Sequence, residues 1–135
     1  MDYDYDDSSK NFIATHVKSL ILHPNFELVG VVDSKSDRRN RFNKKYNISA
    51  YKRIEDLPKK SKIDLAIIAT NTKNHFDSFV KIIESFNPRL ILCEKPLSST
   101  IQKSRKMIDL ATSVNINVAV NYIRQYDPGI KRLIN

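Results

Sequence analysis

The sequence predicts an α/β fold built on a doubly wound parallel sheet. Short apolar segments rich in β-branched residues alternate with longer amphipathic segments, and one apolar segment, Leu90 to Glu94, contains almost no polar residue before its end. Such a run is typical of a strand that is buried on both faces of a parallel sheet. Because strands that alternate with helices are joined by right-handed crossovers, we expect helices to flank this sheet.

Five segments are predicted as strands because they are short apolar runs, the first of them rich in β-branched residues, and a polar residue closes most of them. They are Glu27 to Asp33, a weaker segment at Ala50 to Lys52, Asp64 to Thr70, Leu90 to Glu94 and Asn117 to Tyr122. Four further segments have the spacing of amphipathic helices, although the second is mostly charged. They are Ser8 to Leu22, Lys35 to Tyr46, Lys73 to Phe86 and Ser98 to Val114, the last with Ser98, Ser99 or Thr100 as its cap.

Length and composition indicate one globular domain. The chain has 135 residues, 41% of them apolar, and no apolar stretch approaches the roughly 20 residues that a membrane-spanning helix needs. The first residues are acidic, unlike a secretory signal, and the single cysteine cannot form an internal disulfide. We therefore expect a cytoplasmic protein with no membrane partner.

The formal net charge of +8 raises the question of nucleic-acid binding. Lysine and arginine occur in several small groups along predicted helices and loops, and no zinc-binding spacing or aromatic RNA-binding string accompanies them. The charge is therefore interpreted as solvated surface, and we expect neither a nucleic-acid partner nor a metal site.

A candidate catalytic group follows the strand Leu90 to Glu94. Pro96 ends this strand because it lacks the N–H of the ladder, so Glu94 and Lys95 lie at its carboxyl end, where open α/β sheets bind ligands. Lys95 could donate a hydrogen bond to a substrate hydroxyl and help to move its proton while hydride leaves the same carbon. The alternative is a strand-end ion pair or two exposed charges.

Asp33 closes the first predicted strand and is a candidate for cofactor binding. An acid there can accept hydrogen bonds from the adenosine ribose of a dinucleotide, and its charge would repel a 2′-phosphate, which favours NAD over NADP. Arg38 and Arg39 are near enough in sequence to leave NADP open. The alternative is an aspartate that forms a turn or caps a helix.

Polar residues also follow the strands that end at Thr70 and Tyr122. Thr70, Asn71 and His75 could approach a phosphate or a ribose, whereas His75 could instead cap its helix or lie on its surface. Asn121 and Arg124 offer amide and guanidinium donors to a cofactor or a polyhydroxylated substrate. Cys93, inside an apolar strand, is interpreted as an inert core thiol.

These segments resemble, in the same order, the glucose–fructose oxidoreductase/inositol dehydrogenase/rhizopine catabolism (Gfo/Idh/MocA) family. The resemblance rests on Thr15-His16, Glu27 to Asp33, Asp64 to His75, Glu94-Lys95-Pro96-Leu97 and Asn121-Tyr122-Ile123-Arg124. It implies a Rossmann-like domain and NAD- or NADP-dependent oxidation or reduction of a hydroxyl or ketone on a sugar, an inositol or a nucleotide sugar. It further implies that the named strand-end residues bind the dinucleotide and the substrate, with Lys95 assisting proton transfer. Those strand-end residues are Asp33, Thr70, Asn71, His75, Glu94, Asn121 and Arg124.

The sequence departs from the family pattern in two ways. No glycine precedes Gly30, and Met1 to Tyr5 would carry aspartates into the core if it formed the family's buried first strand. The family's substrate domain would follow the position where this chain stops, Asn135. Residues 1–135 are therefore expected to form an incomplete NAD(P)-binding domain without a C-terminal substrate domain, from a truncated gene product or a degraded paralogue, with impaired cofactor binding and little turnover alone.

The missing strand leaves alternatives for structure and function. The strands that end at Asp33 and at Thr70 either pair directly, receive a strand from another chain, or leave the fold poorly stable. The second functional hypothesis is a non-catalytic interaction module that forms a homo-oligomer or pairs with a separately encoded chain. Nucleic-acid binding is the third.

Overall fold

The computed structural model describes residues 13–134, without the side chains of residues 131 and 134, in two compact units divided between Ser61 and Lys62. The predictions for Met1 to Tyr5 and for the start of the first helix lie outside the described residues. None of the described helices is long and apolar enough to span a bilayer.

The first unit contains a parallel β–α–β arrangement. Its elements are α1 (His16–Leu22), β1 (Val31–Val32), α2 (Ser36–Tyr46) and β2 (Ala50–Tyr51). β1 pairs in parallel with β2, and the hydrogen bond from Asp33 N to Tyr51 O, 3.0 Å, extends this ladder by one position. Among residues 13–61, Phe42 on α2 is the buried apolar side chain. α2 ends at Asn47, whose left-handed backbone (φ 52°) suits asparagine at a helix C-terminus.

The second unit is a three-stranded parallel sheet with helical crossovers. Its elements are β3 (Leu65–Ile68), α3 (His75–Phe86), β4 (Leu90–Glu94), α4 (Ile101–Ser113), β5 (Asn117–Asn121) and α5 (Pro128–Ile134). The strand order is β3-β4-β5. α3 packs on β3 and on α4, and α4 packs on β5. The predicted parallel α/β class is confirmed in both units.

β4 is covered more completely on one face than on the other. Ile91 and Cys93 are fully buried, whereas Leu90, Leu92 and Glu94 on the opposite face are half-buried. Alternate strand residues point to opposite faces of the sheet. The prediction that β4 is buried on both faces is therefore wrong for the face that carries Leu90, Leu92 and Glu94, which is only half-buried.

The helices account for this asymmetry. Cys93 contacts His75 at the start of α3, so the buried face of β4 is the one that α3 covers. Phe79 of α3 and Met107 of α4 complete the core of this unit with no exposed surface.

The ladder around β1 is shorter than predicted. The segment Glu27 to Asp33 has strand pairing only at Val31–Val32, because its partner in the described part of the chain, β2, is itself two residues long. Within the two units, β1 pairs in parallel with β2, and β3 pairs in parallel with β4. α5 and three short 3₁₀ helices were not predicted. The 3₁₀ helices span Ile54–Asp56, Thr72–Asn74 and Ile123–Tyr126.

Candidate functional site

The polar residues predicted to form a site in the second unit lie at one edge of its sheet. β3, β4 and β5 run in parallel, so their carboxyl ends share that edge. Thr70 and Asn71 follow β3, Lys95 follows β4, and Arg124 follows β5. Asp33 follows β1 in the first unit and is described separately.

Glu94 and Asn121 form the best-defined contact at this edge. They are register partners at the last positions of β4 and β5, which places their side chains on the same face. The Asn121 amide Nδ2 donates a 2.7 Å hydrogen bond to Glu94 Oε1, and both residues are half-buried. Hydrogen bonds to ionised carboxylates are about twice as strong as neutral ones, so this contact holds the Glu94 side chain in place.

Lys95 and Arg124 present exposed cationic groups. Lys95 immediately follows Glu94, is solvent-exposed, and is joined to Pro96 by a cis peptide bond. Arg124 lies in the exposed 3₁₀ helix Ile123–Tyr126. The half-buried carboxylate and amide thus end β4 and β5, and the residue that follows Glu94 in the chain is a solvent-exposed lysine.

Thr70 and Asn71 form an exposed polar turn between β3 and α3. Thr70 Oγ1 lies 3.5 Å from the carbonyl oxygen of Asn71, which itself accepts a 2.8 Å hydrogen bond from the backbone N–H of Asn74. Both residues are exposed, so their side chains are accessible to a ligand.

His75 is buried at the start of α3 and is only 1% exposed, so the alternative that placed it on the helix surface is wrong. Its Nε2 lies 2.9 Å from the Thr70 carbonyl oxygen. Its Nδ1 lies 3.1 Å from the carbonyl oxygen of Pro96 and 3.3 Å from that of Leu97. The ring therefore contacts the turns that follow β3 and β4, and its role as a direct cofactor ligand stays a prediction.

Cys93 has the buried placement expected of a core thiol. Burial, and secondarily the charge of Glu94, raises the pKa of the Cys93 thiol to about 11. Its Sγ lies 3.4 Å from His75 Nδ1 and 3.8 Å from the Leu97 carbonyl oxygen. The contact between Cys93 and His75 could not be predicted from the sequence, where alternation indicates only that Cys93 and Ile91 share one face of β4.

Asp33 is bound into the loop that joins β1 to α2. Its Oδ1 accepts a 2.8 Å hydrogen bond from the backbone N–H of Lys35, so the turn-forming alternative is confirmed. Its Oδ2 lies 3.6 Å from the guanidinium of Arg38, and Arg39 donates a 2.8 Å hydrogen bond to the Asp33 carbonyl oxygen. A carboxylate has about four acceptor positions, so these contacts leave capacity for ligand hydroxyls.

No group of three or more His, Cys, Asp or Glu side chains within residues 13–134 is arranged to hold a metal ion.

The sequence of this chain is similar to those of known proteins. The chain is 31% identical over 86 residues to the rhizopine catabolism protein MocA of Rhizobium meliloti, covering 64% of this chain and 26% of that protein. It is 29% identical over 120 residues to scyllo-inositol 2-dehydrogenase (NAD(+)) of Bacillus subtilis, covering 84% of this chain and 33% of that enzyme. The chain therefore spans about a quarter to a third of the length of these two relatives.

The fold of this chain is also similar to that of a solved structure. The crystal structure of the dehydrogenase MviM from Clostridium difficile superimposes with a TM-score of 0.75 at 27% identity, covering 87% of this chain and 38% of that one. Residues 10–122 match the profile of the GFO_IDH_MocA oxidoreductase family with its NAD-binding Rossmann fold. This chain belongs to that family, and the sheet edge described above is part of an oxidoreductase NAD-binding domain.

Proposed function

We propose that this domain binds a nicotinamide dinucleotide, NAD in preference to NADP, and serves hydride transfer at a hydroxyl-bearing or keto carbon of an inositol or a related sugar. The observation that carries the proposal is the pairing of Glu94 with Asn121 beside the exposed Lys95 at the sheet edge. The names of the relatives, a scyllo-inositol dehydrogenase and a rhizopine catabolism protein, support the substrate class.

The hydrogen-bonding groups at the predicted site residues fit a dinucleotide. Asp33 is an acceptor for ribose hydroxyls, and its side chain remains 12% exposed. Thr70 and Asn71 are exposed hydroxyl and amide groups for the polar parts of the ligand.

Lys95 is the group that would move a proton. The bound dinucleotide would supply the hydride donor or acceptor. During reduction of a ketone, the Lys95 ammonium would donate a proton to the oxygen of the carbon that receives hydride; during oxidation, the neutral amine would take that proton from the hydroxyl. Glu94, whose side chain is held by Asn121, immediately precedes Lys95 at this edge of the sheet.

The preference for NAD rests on Asp33. Its carboxylate accepts hydrogen bonds from ribose hydroxyls and repels a 2′-phosphate. The Arg38 guanidinium, 3.6 Å from Asp33 Oδ2, partly neutralises that repulsion. Removing the carboxylate charge while keeping Arg38 and Arg39 would therefore shift the preference towards NADP.

The test is a fluorescence titration of the purified chain with NADH and with NADPH. We expect saturable NADH binding, with a Kd lower than that of NADPH. In Asp33→Asn, the NADH Kd should rise about tenfold for the loss of a charged acceptor, and the NADPH Kd should fall.

Asp37→Asn is the matched control, since it removes the same charge from an exposed position in the first turn of α2. It should leave the ratio of the two Kd values unchanged. Absence of saturable binding by either nucleotide would overturn the proposed function, and an equal response of the two variants would overturn the role of Asp33.

A further inference from the structure

His75 is a buried polar residue to which the proposed chemistry assigns no direct part. It is the first residue of α3 and is 1% exposed, although polar side chains of this size are seldom buried without several partners. Its partners explain the burial, because its ring contacts three carbonyl oxygens in turns at the proposed site and the buried thiol of Cys93.

The two ring nitrogens contact two different turns. Nε2 contacts the carbonyl oxygen of Thr70, at the end of the β3 segment. Nδ1 contacts the carbonyl oxygens of Pro96 and Leu97, in the turn that begins with Lys95. The imidazole ring therefore lies between the turn after β3 and the turn after β4, which are more than twenty residues apart in the sequence.

Carbonyl oxygens only accept hydrogen bonds, so the ring must supply the protons. The Nε2–H tautomer donates to Thr70, and its Nδ1 can then accept from the thiol of Cys93 at 3.4 Å. That thiol keeps its proton because burial raises its pKa to about 11. A ring protonated at both nitrogens donates to both turns directly. The neutral tautomer therefore joins the Thr70 turn to Cys93 on β4, the strand that leads into Lys95, whereas the doubly protonated ring joins the two turns directly.

We propose that His75 is a positioning residue that fixes the turn carrying Lys95 relative to the turn carrying Thr70 and Asn71. The consequence of this role rests on the proposed function. It is that the proton-transfer group and the ligand-binding turn keep a constant spacing. His75 acts through the backbone carbonyls of these turns and, in the neutral tautomer, through the Cys93 thiol on β4.

Two substitutions, each of which keeps a donor near one ring-nitrogen position, separate the two halves of this bridge. In His75→Asn, the amide nitrogen occupies the place of Nδ1, so it can still donate towards Pro96 and Leu97 but cannot reach Thr70. In His75→Gln, the amide nitrogen takes the place of Nε2 and can still donate to Thr70. Phe79→Leu is the matched control, because Phe79 is fully buried on the same helix and is not a partner in these hydrogen bonds.

The measurement is the backbone amide order parameter from ¹⁵N relaxation of the full chain. In His75→Gln, the order parameters of Lys95 and Leu97 should fall from about 0.85 to below about 0.6, while that of Thr70 changes little. In His75→Asn, the order parameter of Thr70 should fall instead. Phe79→Leu should lower the stability and leave both turns ordered.

Unchanged order in both turns in both variants, or the same pattern as in Phe79→Leu, would overturn the positioning role. An NADH titration of the same proteins tests the proposed function separately. If the wild-type chain binds NADH, we expect weaker binding in the two His75 variants than in Phe79→Leu. If it does not bind, the proposed function fails, while the order parameters still decide whether His75 ties the turns together.

Discussion

The side-chain amide of Asn121 donates a 2.7 Å hydrogen bond to Oε1 of Glu94, across the last register position of β4 and β5. The bond ties the acid that precedes Lys95 to the strand at the edge of the sheet. It therefore contributes both to the stability of the second unit and to the position of the anion next to the proposed proton-transfer group.

Asn121→Ala should lower the free energy of unfolding by about 1–2 kcal/mol, because a half-buried hydrogen bond to a charged group is lost. Urea denaturation of both proteins measures this difference. Asn117→Ala is the control at the other end of β5, where an exposed asparagine donates a longer, 3.3 Å bond to the carbonyl oxygen of Arg89. Its effect should stay within about 0.5 kcal/mol. Equal losses in the two variants would contradict a special role for the Glu94–Asn121 contact.

The Cys93 thiol should be unreactive in the folded protein. With its pKa raised to about 11, only about one thiol in a thousand is ionised at pH 8, compared with about a quarter of ordinary thiols. Alkylation by iodoacetamide at pH 8 should therefore be at least about 100-fold slower in the native chain than in urea. Comparable rates in the two conditions would show that the thiol is exposed or ionised.

The same pKa predicts a loss of stability in alkaline solution. A thiol whose pKa is raised by folding contributes its full stabilisation below the pKa of the unfolded chain and loses it as the pH rises towards the folded value. The free energy of unfolding should thus fall between about pH 9 and pH 11, by up to about 3 kcal/mol. Cys93→Ser, whose hydroxyl does not titrate there, should show a smaller decrease over the same range.

The N-terminus of α4 depends on Thr100, whose Oγ1 accepts a 3.2 Å hydrogen bond from the backbone N–H of Lys103. Thr100→Ala should lower the free energy of unfolding by about 1 kcal/mol, as loss of a helix cap does. Thr112→Ala removes the same atoms from an exposed position within the helix and should be neutral or slightly stabilising, because alanine favours helix. Thermal or urea denaturation distinguishes the two.

The regular elements could be predicted because their signals are local. β4 begins at Leu90 and ends at Glu94 as predicted, since its apolar run and the following proline lie within one short segment. α3 and α4 begin two or three residues later than predicted, because 3₁₀ turns and capping residues occupy the predicted first positions. The extent of β1 depends on its partner strand, which its own residues do not specify.

The orientation of His75 could not be predicted for a different reason. The acceptors of its ring include the carbonyl oxygens of Pro96 and Leu97, and backbone carbonyls are the same in every residue type. Asp33 illustrates a third case, since a carboxylate at a strand end suits both a turn and a ribose contact. The structure shows the turn contact to Lys35, and the ribose contact remains part of the proposal.

Lys95 should be dispensable for folding and needed for turnover. It is exposed, so Lys95→Met should change the free energy of unfolding by less than about 0.5 kcal/mol. Any NAD-dependent oxidation of inositol by the protein should fall by a factor of about 100 or more, because a positioned acid–base group is removed. Lys60→Met, a substitution of another exposed lysine, removes the same charge and should leave that rate unchanged. A rate assay combined with urea denaturation separates these effects, and full activity in Lys95→Met would remove Lys95 from the proposed proton transfer.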